Sequence, residues 1–337
     1  MSTIMATLAS HGFGRRRLLL LAALGVALVL PFIPPFTGED YRRWLVGAAF
    51  MAAQAVAFDF TAGYINIVNF GFAAFVGLGG YTSGLLAVDL GIPPVIGMVV
   101  GATVSGTVGL LTGALTLRLR GIYAAVMAWF VGLALMGLIR NVPDITRGSL
   151  GLAVPSLLAS SDNLPYYYVI LAMLVVTFIV LAWVIRSRFG LAFRAIGQNL
   201  AAARASGINP TRYLVINFVL SCAFAGWLGG FYAHFYGILT PDVMLTSHTV
   251  EILAIAYIGG RGSLWGPAIV AFPLSIGVEW VKVQFSTLPG VHLVLYGLLL
   301  IVVMIYRPGG VAGLATSFDA WLARRRTAAA PEVLDAA

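Results

Sequence analysis

The feature that most limits this chain is a succession of apolar runs, most of them comparable in length to the thickness of a bilayer. They cover 18–36, 44–60, 64–90, 93–117, 122–139, 166–185, 213–235, 250–258, 264–281 and 291–306. A helix needs roughly 20 apolar residues to cross the hydrocarbon core. Inside lipid its backbone N–H and C=O groups must be satisfied within the segment, which a helix achieves. The expected fold is therefore an all-α, polytopic transmembrane bundle of about ten segments, including short or broken ones. Composition agrees. Hydrophobic residues make up 60% of the chain and charged residues 9%, where soluble domains carry about 25% charged.

Several function classes drop out at once. The single cysteine, Cys222, sits inside an apolar run, which excludes a disulfide framework and any cysteine-based metal site. The single lysine, Lys282, follows Val281, so no G-x-x-x-x-G-K-[ST] phosphate loop exists and the chain has no P-loop for ATP. No nucleophile–base pair, metal-ligand cluster or proton relay can be assembled from the scattered ionisable groups, and the chain is not expected to be an enzyme. The formal charge of +8 reflects arginine-rich loops at a membrane face, not a nucleic-acid surface.

The arginines also orient the bundle. With the N-terminus inside and ten crossings, fifteen Lys/Arg fall on the cytoplasmic side and five outside: Arg42, Arg43, Arg140, Arg147 and Lys282. That bias predicts cytoplasmic N- and C-termini. The chain divides into a cytoplasmic tail 1–17, a transmembrane domain 18–306 and a cytoplasmic tail 307–337. Within the transmembrane domain, the interval 186–212 carries five arginines and no acid. Its part from 191 to 205 reads as a short helix, stopped by Gly207 and Pro210.

Two stretches break the pattern of simple spans. The run 64–81 holds Asn66, Asn69, Phe70 and four glycines, Gly71 among them; the run 250–258 is too short to cross and leads into Gly259 and Gly260. Glycine-interrupted, short segments occur where backbone lines a translocation path, and also where helices pack closely. Asn66, Asn69, Phe70, Gly71, Gly259 and Gly260 are the candidate pathway residues. Among ionisable groups, Asp59 reads as interfacial, Glu251 as facing a docking protein or a helix partner, and Glu279 with Lys282 as a local i,i+3 pair. His234 reads as a packing residue.

Five motifs in order resemble the LivM-type permease subunit of branched-chain amino acid ABC importers. They are Asn69-Phe-Gly-Phe-Ala-Ala-Phe with a later Gly-Gly-Tyr81, Leu119-Arg-Gly-Ile-Tyr-Ala-Ala125, Ser187-Arg-Phe-Gly-Leu-Ala-Phe-Arg-Ala-Ile196, Ala205-Ser-Gly-Ile-Asn209 and Ile258-Gly-Gly-Arg-Gly-Ser-Leu-Trp-Gly-Pro267. Urea- and amide-type permeases share this broad pattern. The resemblance implies a subunit of a bacterial inner-membrane importer that works with a second related permease subunit, two cytoplasmic ATPases and a periplasmic substrate-binding protein. It implies no cofactor on this chain, with ATP and Mg on the partner subunits. It assigns Arg188, Gly190, Arg194, Gly207, Ile208 and Asn209 to helices that dock on the ATPase. The binding protein would meet the loops 37–43, 141–165 and 236–250. The rival class is an ion-driven secondary transporter, which wants acidic residues at span centres.

Overall fold

The computed structural model describes residues 21–34, 36–116, 121–158, 160, 162–285, 290–307 and 309–314. The tail 1–17, the interval with Arg118 and Arg120, and most of the tail 307–337 lie outside them. The elements in order are α1 (Leu21–Phe32), α2 (Glu39–Ala62), α3 (Phe72–Asp89), α4 (Pro94–Thr116), α5 (Ile122–Arg140) and a single turn, α6 (Pro143–Thr146). There follow α7 (Asn163–Arg186), α8 (Arg188–Gln198), α9 (Leu200–Ala205), α10 (Pro210–Tyr236), α11 (Thr246–Gly259), α12 (Trp265–Gln284) and α13 (Val291–Tyr306). Among the described residues eight helices are long and apolar enough to cross a membrane. A two-residue ribbon, β1 (Leu152–Ala153) with β2 (Ile238–Leu239), is antiparallel.

The bundle is built around α2. From Leu45 to Ala62 almost every residue of α2 is buried, with α7, α10, α11 and α12 packed about it. Its run of alanines lets those helices approach closely, which is how membrane bundles gain dispersion contact without a hydrophobic drive. At one end Arg42 bridges Glu39 (2.9 Å) and Asp162 (3.1 Å), tying the starts of α2 and α7. Asp162 also caps α7 by accepting the Leu164 N–H, and that bond is the main reason its carboxyl sits below the usual carboxylate range.

A second layer, α3–α4–α10, is closed through glycines. A Cβ on Gly79 would strike the Gly226 backbone, one on Gly229 the Val76 carbonyl, and one on Gly226 the Ser105 side chain. Ser105 reaches across the same seam to donate to the Phe75 carbonyl (3.0 Å). The glycines of the 64–81 stretch beyond Gly71 therefore serve packing.

The structure departs from the sequence reading in three places. The run 64–90 is not helical from its start. Asn66 adopts φ 56°, and the chain climbs irregularly to Asn69, whose Oδ1 accepts the Gly71 N–H (3.1 Å) ahead of α3. Asn69 lies beside Cys222, twelve residues into α10. At 1.5 Å per residue that is roughly 18 Å from the start of α10, so α3 begins deep within the bundle. Secondly, the interval 236–250 is only partly a surface loop. It turns back inward through Pro241–Met244, burying Val243 and Met244, and α11 starts at Thr246. The Thr249 Oγ1 accepts the Ala73 N–H (3.1 Å), so the N-termini of α3 and α11 meet inside the protein. Thirdly, the helix expected over 191–205 is two helices. Asn199 leaves helical geometry and caps α9 by accepting from the N–H groups of Ala201 and Ala202.

Candidate functional site

Between α2, α3, α10, α11, α12 and α13 lies a cavity of about 310 Å³. Its floor includes Ala73, at the meeting point of the α3 and α11 N-termini, and its mouth lies toward Arg43, Tyr236 and Lys282 at the end of the bundle opposite α8. One wall is apolar, formed by Phe50, Met51, Val76 and Val243. Besides the hydroxyls of Tyr232, Tyr236, Ser275 and Tyr296, the polar side chains are few and of mixed sign: Arg43, Gln54, His248, Glu251, Glu279 and Lys282.

Two of these lie deep. Glu251 is 4% exposed, with His248 Nδ1 at 3.7 Å and His292 Nε2 at 3.5 Å. Its neighbours are thus helix partners, one from its own helix and one from α13. Gln54, midway along α2, is 3% exposed and makes no hydrogen bond among the described residues. Nearer the mouth, Glu279 and Lys282 pair at 2.7 Å as their spacing predicts, and the Arg43 guanidinium lies 5.5 Å from the centre of the Tyr236 ring.

None of the six candidate pathway residues lines this cavity. Asn69, Phe70 and Gly71 sit just beneath its floor, where a Cβ on Gly71 would strike the Ala128 carbonyl of α5. Asn66 is exposed at the α8 end, and its Nδ2 donates to the Gly197 carbonyl. Gly259 abuts Gly266 and Pro267, and Gly260 abuts Gly309 and Ala312. Gln54 is the residue that sequence reasoning passed over. It is the single amide in the run 44–60, and a polar group inside a span is a functional candidate by default.

Two other polar residues flagged in the sequence hold the fold. Asp59 is fully buried, with Oδ1 accepting the Gly262 N–H (2.7 Å) and Oδ2 the Leu264 N–H (3.0 Å). It therefore anchors the turn between α11 and α12 and is not interfacial. His234 uses both ring nitrogens, Nδ1 to the Pro155 carbonyl (2.7 Å) and Nε2 to Ser83 Oγ (2.8 Å). A carbonyl only accepts, so Nδ1 carries the proton and Nε2 accepts from the serine.

A family model described as the branched-chain amino acid transport system / permease component matches residues 41–304, the whole bundle from α2 to α13. The chain belongs to this family. It is 26% identical over 325 residues to the high-affinity branched-chain amino acid transport system permease protein LivM of Salmonella typhimurium, covering 88% of this chain and 75% of the relative. It is 25% identical to the LivM protein of Escherichia coli K12 over 330 residues, with the same coverage. The LivH permease protein of that organism is 25% identical over 302 residues, 82% of this chain and 96% of the relative. No solved structure matches the chain significantly.

In this family member, the interval expected to couple to an ATPase is two short helices lying across one end of the bundle. Phe193 of α8 packs edge-on against Phe60 (5.7 Å between ring centres) and Tyr213 (6.4 Å), joining α8 to α2 and α10. Gly190 fits against the Ile185 carbonyl, where a Cβ would collide. Gly207 takes φ 79° as the chain leaves α9, Ile208 donates back to the Ala203 carbonyl (3.1 Å), and Asn209 caps α10. Arg188 and Arg194 stand exposed, Arg194 with its guanidinium 5.8 Å from the centre of the Tyr64 ring.

Proposed function

We propose that this chain is one membrane subunit of an ATP-driven importer that carries branched-chain amino acids across the bacterial inner membrane. Its partners are a second related permease subunit, two cytoplasmic ATPases that hold ATP and Mg, and a periplasmic substrate-binding protein. The single observation that carries the reading is the family match from α2 through α13, with relatives whose names specify branched-chain amino acid transport.

The geometry gives the reading a mechanism. The α8–α9 pair would seat on the ATPases. Its exposed surface carries Arg188 and Arg194 with Phe189 and Leu191, suited to bidentate pairing with carboxylates around an apolar contact. Gly190, Gly207, Ile208 and Asn209 keep the pair rigid. Movement of α8 would reach α2 and α10 through Phe193. It would reach the start of α3 through the Arg194–Tyr64 stack and the Asn66–Gly197 bond, directly below the cavity floor. The segments around Asn69, Phe70, Gly71, Gly259 and Gly260 then shift as the cavity changes its access. In this assignment 1–17 and 307–337 are cytoplasmic tails of a permease domain, 18–306.

One observation favours a second reading. The buried Glu251 inside the bundle is the kind of acid an ion-driven transporter uses. Uptake of labelled leucine, urea and acetamide by cells making the chain with its partner subunits tests both. Leucine uptake that stops when the ATPase is inactivated is the expected result. Uptake that persists without the ATPase supports the ion-driven reading. Urea or acetamide uptake alone keeps the architecture and changes the cargo.

A further inference from the structure

We propose that the cavity between α2 and α11 is a binding site for one amino-acid zwitterion within a single permease subunit. Glu251 receives its ammonium, Gln54 donates to its carboxylate, and the Phe50–Met51–Val76–Val243 wall takes its aliphatic side chain. The proposal rests on the importer reading and adds the place where the cargo pauses.

Gln54 carries the argument furthest. Its side chain bonds to no other group among the described residues and it lines the cavity, so its amide is free to bind what enters there. Its two N–H donors suit a carboxylate. Glu251 is complementary. Its contacts to His248 and His292, at 3.7 and 3.5 Å, exceed the roughly 2.7–3.2 Å of an ordinary hydrogen bond. The carboxylate therefore retains acceptor capacity for a charged donor, and an ammonium would form the stronger, charge-assisted bonds.

Size and shape narrow the ligand. About 310 Å³ is at the lower end of the roughly 300–1,000 Å³ typical of small-molecule pockets, enough for one small metabolite and too little for a peptide. An uncharged solute could fill the apolar wall but would leave Glu251 without a cationic partner. Arg43 and Lys282, already engaged with Tyr236 and Glu279 at the mouth, would draw the ligand in and are not needed to hold it.

The test uses the complex of this chain with its partner permease and ATPases, in lipid nanodiscs without the binding protein. Equilibrium dialysis with labelled L-leucine measures binding directly. The expected result is saturable binding that weakens at least tenfold in both Gln54→Met and Glu251→Gln. Gly47→Leu should abolish it, because Gly47 lines the cavity and a Cβ there meets nothing within 4 Å. The side chain can thus fill the space without disturbing the fold. Isopentylamine, which lacks the carboxylate, should compete equally in wild type and Gln54→Met but not in Glu251→Gln. 4-Methylpentanoate, which lacks the ammonium, should show the reverse preference.

Unchanged binding in Gly47→Leu overturns the site. So does ATP-driven leucine uptake by the complete importer when the nanodisc complex binds none, a result that leaves the importer reading intact. A complete importer that carries no leucine overturns the importer reading itself.

Discussion

At the scale of single residues, Asp59 shows how a carboxyl group is held at the buried end of a membrane span. Its carboxylate accepts two backbone N–H groups from the 260–264 turn, where Leu264 takes φ 55°, a conformation disfavoured for a residue with a branched side chain. Those two bonds offset the strain of the turn. Asp59→Ala leaves the buried Leu264 N–H without an acceptor, at roughly 1–3 kcal/mol, and also frees the half-buried Gly262 N–H. The expected outcome is a lower thermal midpoint of the purified protein in detergent and weaker membrane accumulation. Asp59→Asn preserves volume and one acceptor oxygen, so it should fall between wild type and alanine. Equal midpoints for all three proteins would show that the turn holds without the carboxylate.

At the scale of elements, the seam of α3, α4 and α10 makes the sharpest claim. Gly229→Val would drive a side chain into the Val76 carbonyl. Because the obstacle is backbone, whole helices must separate, at a cost of about 1–3 kcal/mol or more. Gly137→Val is the control, since a Cβ at Gly137 in α5 meets nothing within 4 Å. Unfolding in detergent should show a clear loss of stability for the first substitution and little for the second.

The α8–α9 pair, proposed to couple to the ATPases, carries a different prediction. Arg194→Glu should abolish uptake by the assembled importer while the chain still inserts, because reversing this charge opposes docking and breaks the stack on Tyr64. Normal uptake in that variant would remove Arg194 from the coupling surface.

These elements also mark how far the sequence could be read. Long apolar runs gave the spans almost directly, and 291–306 coincides with α13. The start of α3 was not legible, because Ile65, Val68 and Phe70 look equally apolar in a helix and in an irregular buried segment. What ends the helix there is the left-handed turn at Asn66 and the close approach of Gly71 to α5, a tertiary contact. The cavity was half legible. Gln54 carried a local signal as a lone amide in a span, but the approach of His292 to Glu251 joins residues on separate helices that no local pattern connects.

At the scale of the whole molecule, charge is separated between the two ends. Among the described residues the α8 end carries Arg186, Arg188, Arg194, Arg204, Arg212, Arg261 and Arg307, and its single carboxylate, Asp59, is buried. The opposite end carries five basic residues, Arg42, Arg43, Arg140, Arg147 and Lys282. It balances them with seven acids: Glu39, Asp40, Asp89, Asp144, Asp162, Asp242 and Glu279. Arginine-rich loops are retained on the cytoplasmic side during insertion, so α8 and α9 should face the cytoplasm and the cavity mouth the periplasm.

The lone cysteine makes this measurable. Cys222 is buried, and replacing it by alanine gives a background free of thiols. Leu150, 92% exposed, and Ser206, exposed just after α9, lie at opposite ends. In spheroplasts, a membrane-impermeant maleimide should label Leu150→Cys, and Ser206→Cys only once the membrane is opened. In inverted vesicles the order should exchange. Labelling of Ser206→Cys from outside would turn the bundle over and put the cavity mouth on the cytoplasmic side. An importer could not then load the cavity from a periplasmic binding protein.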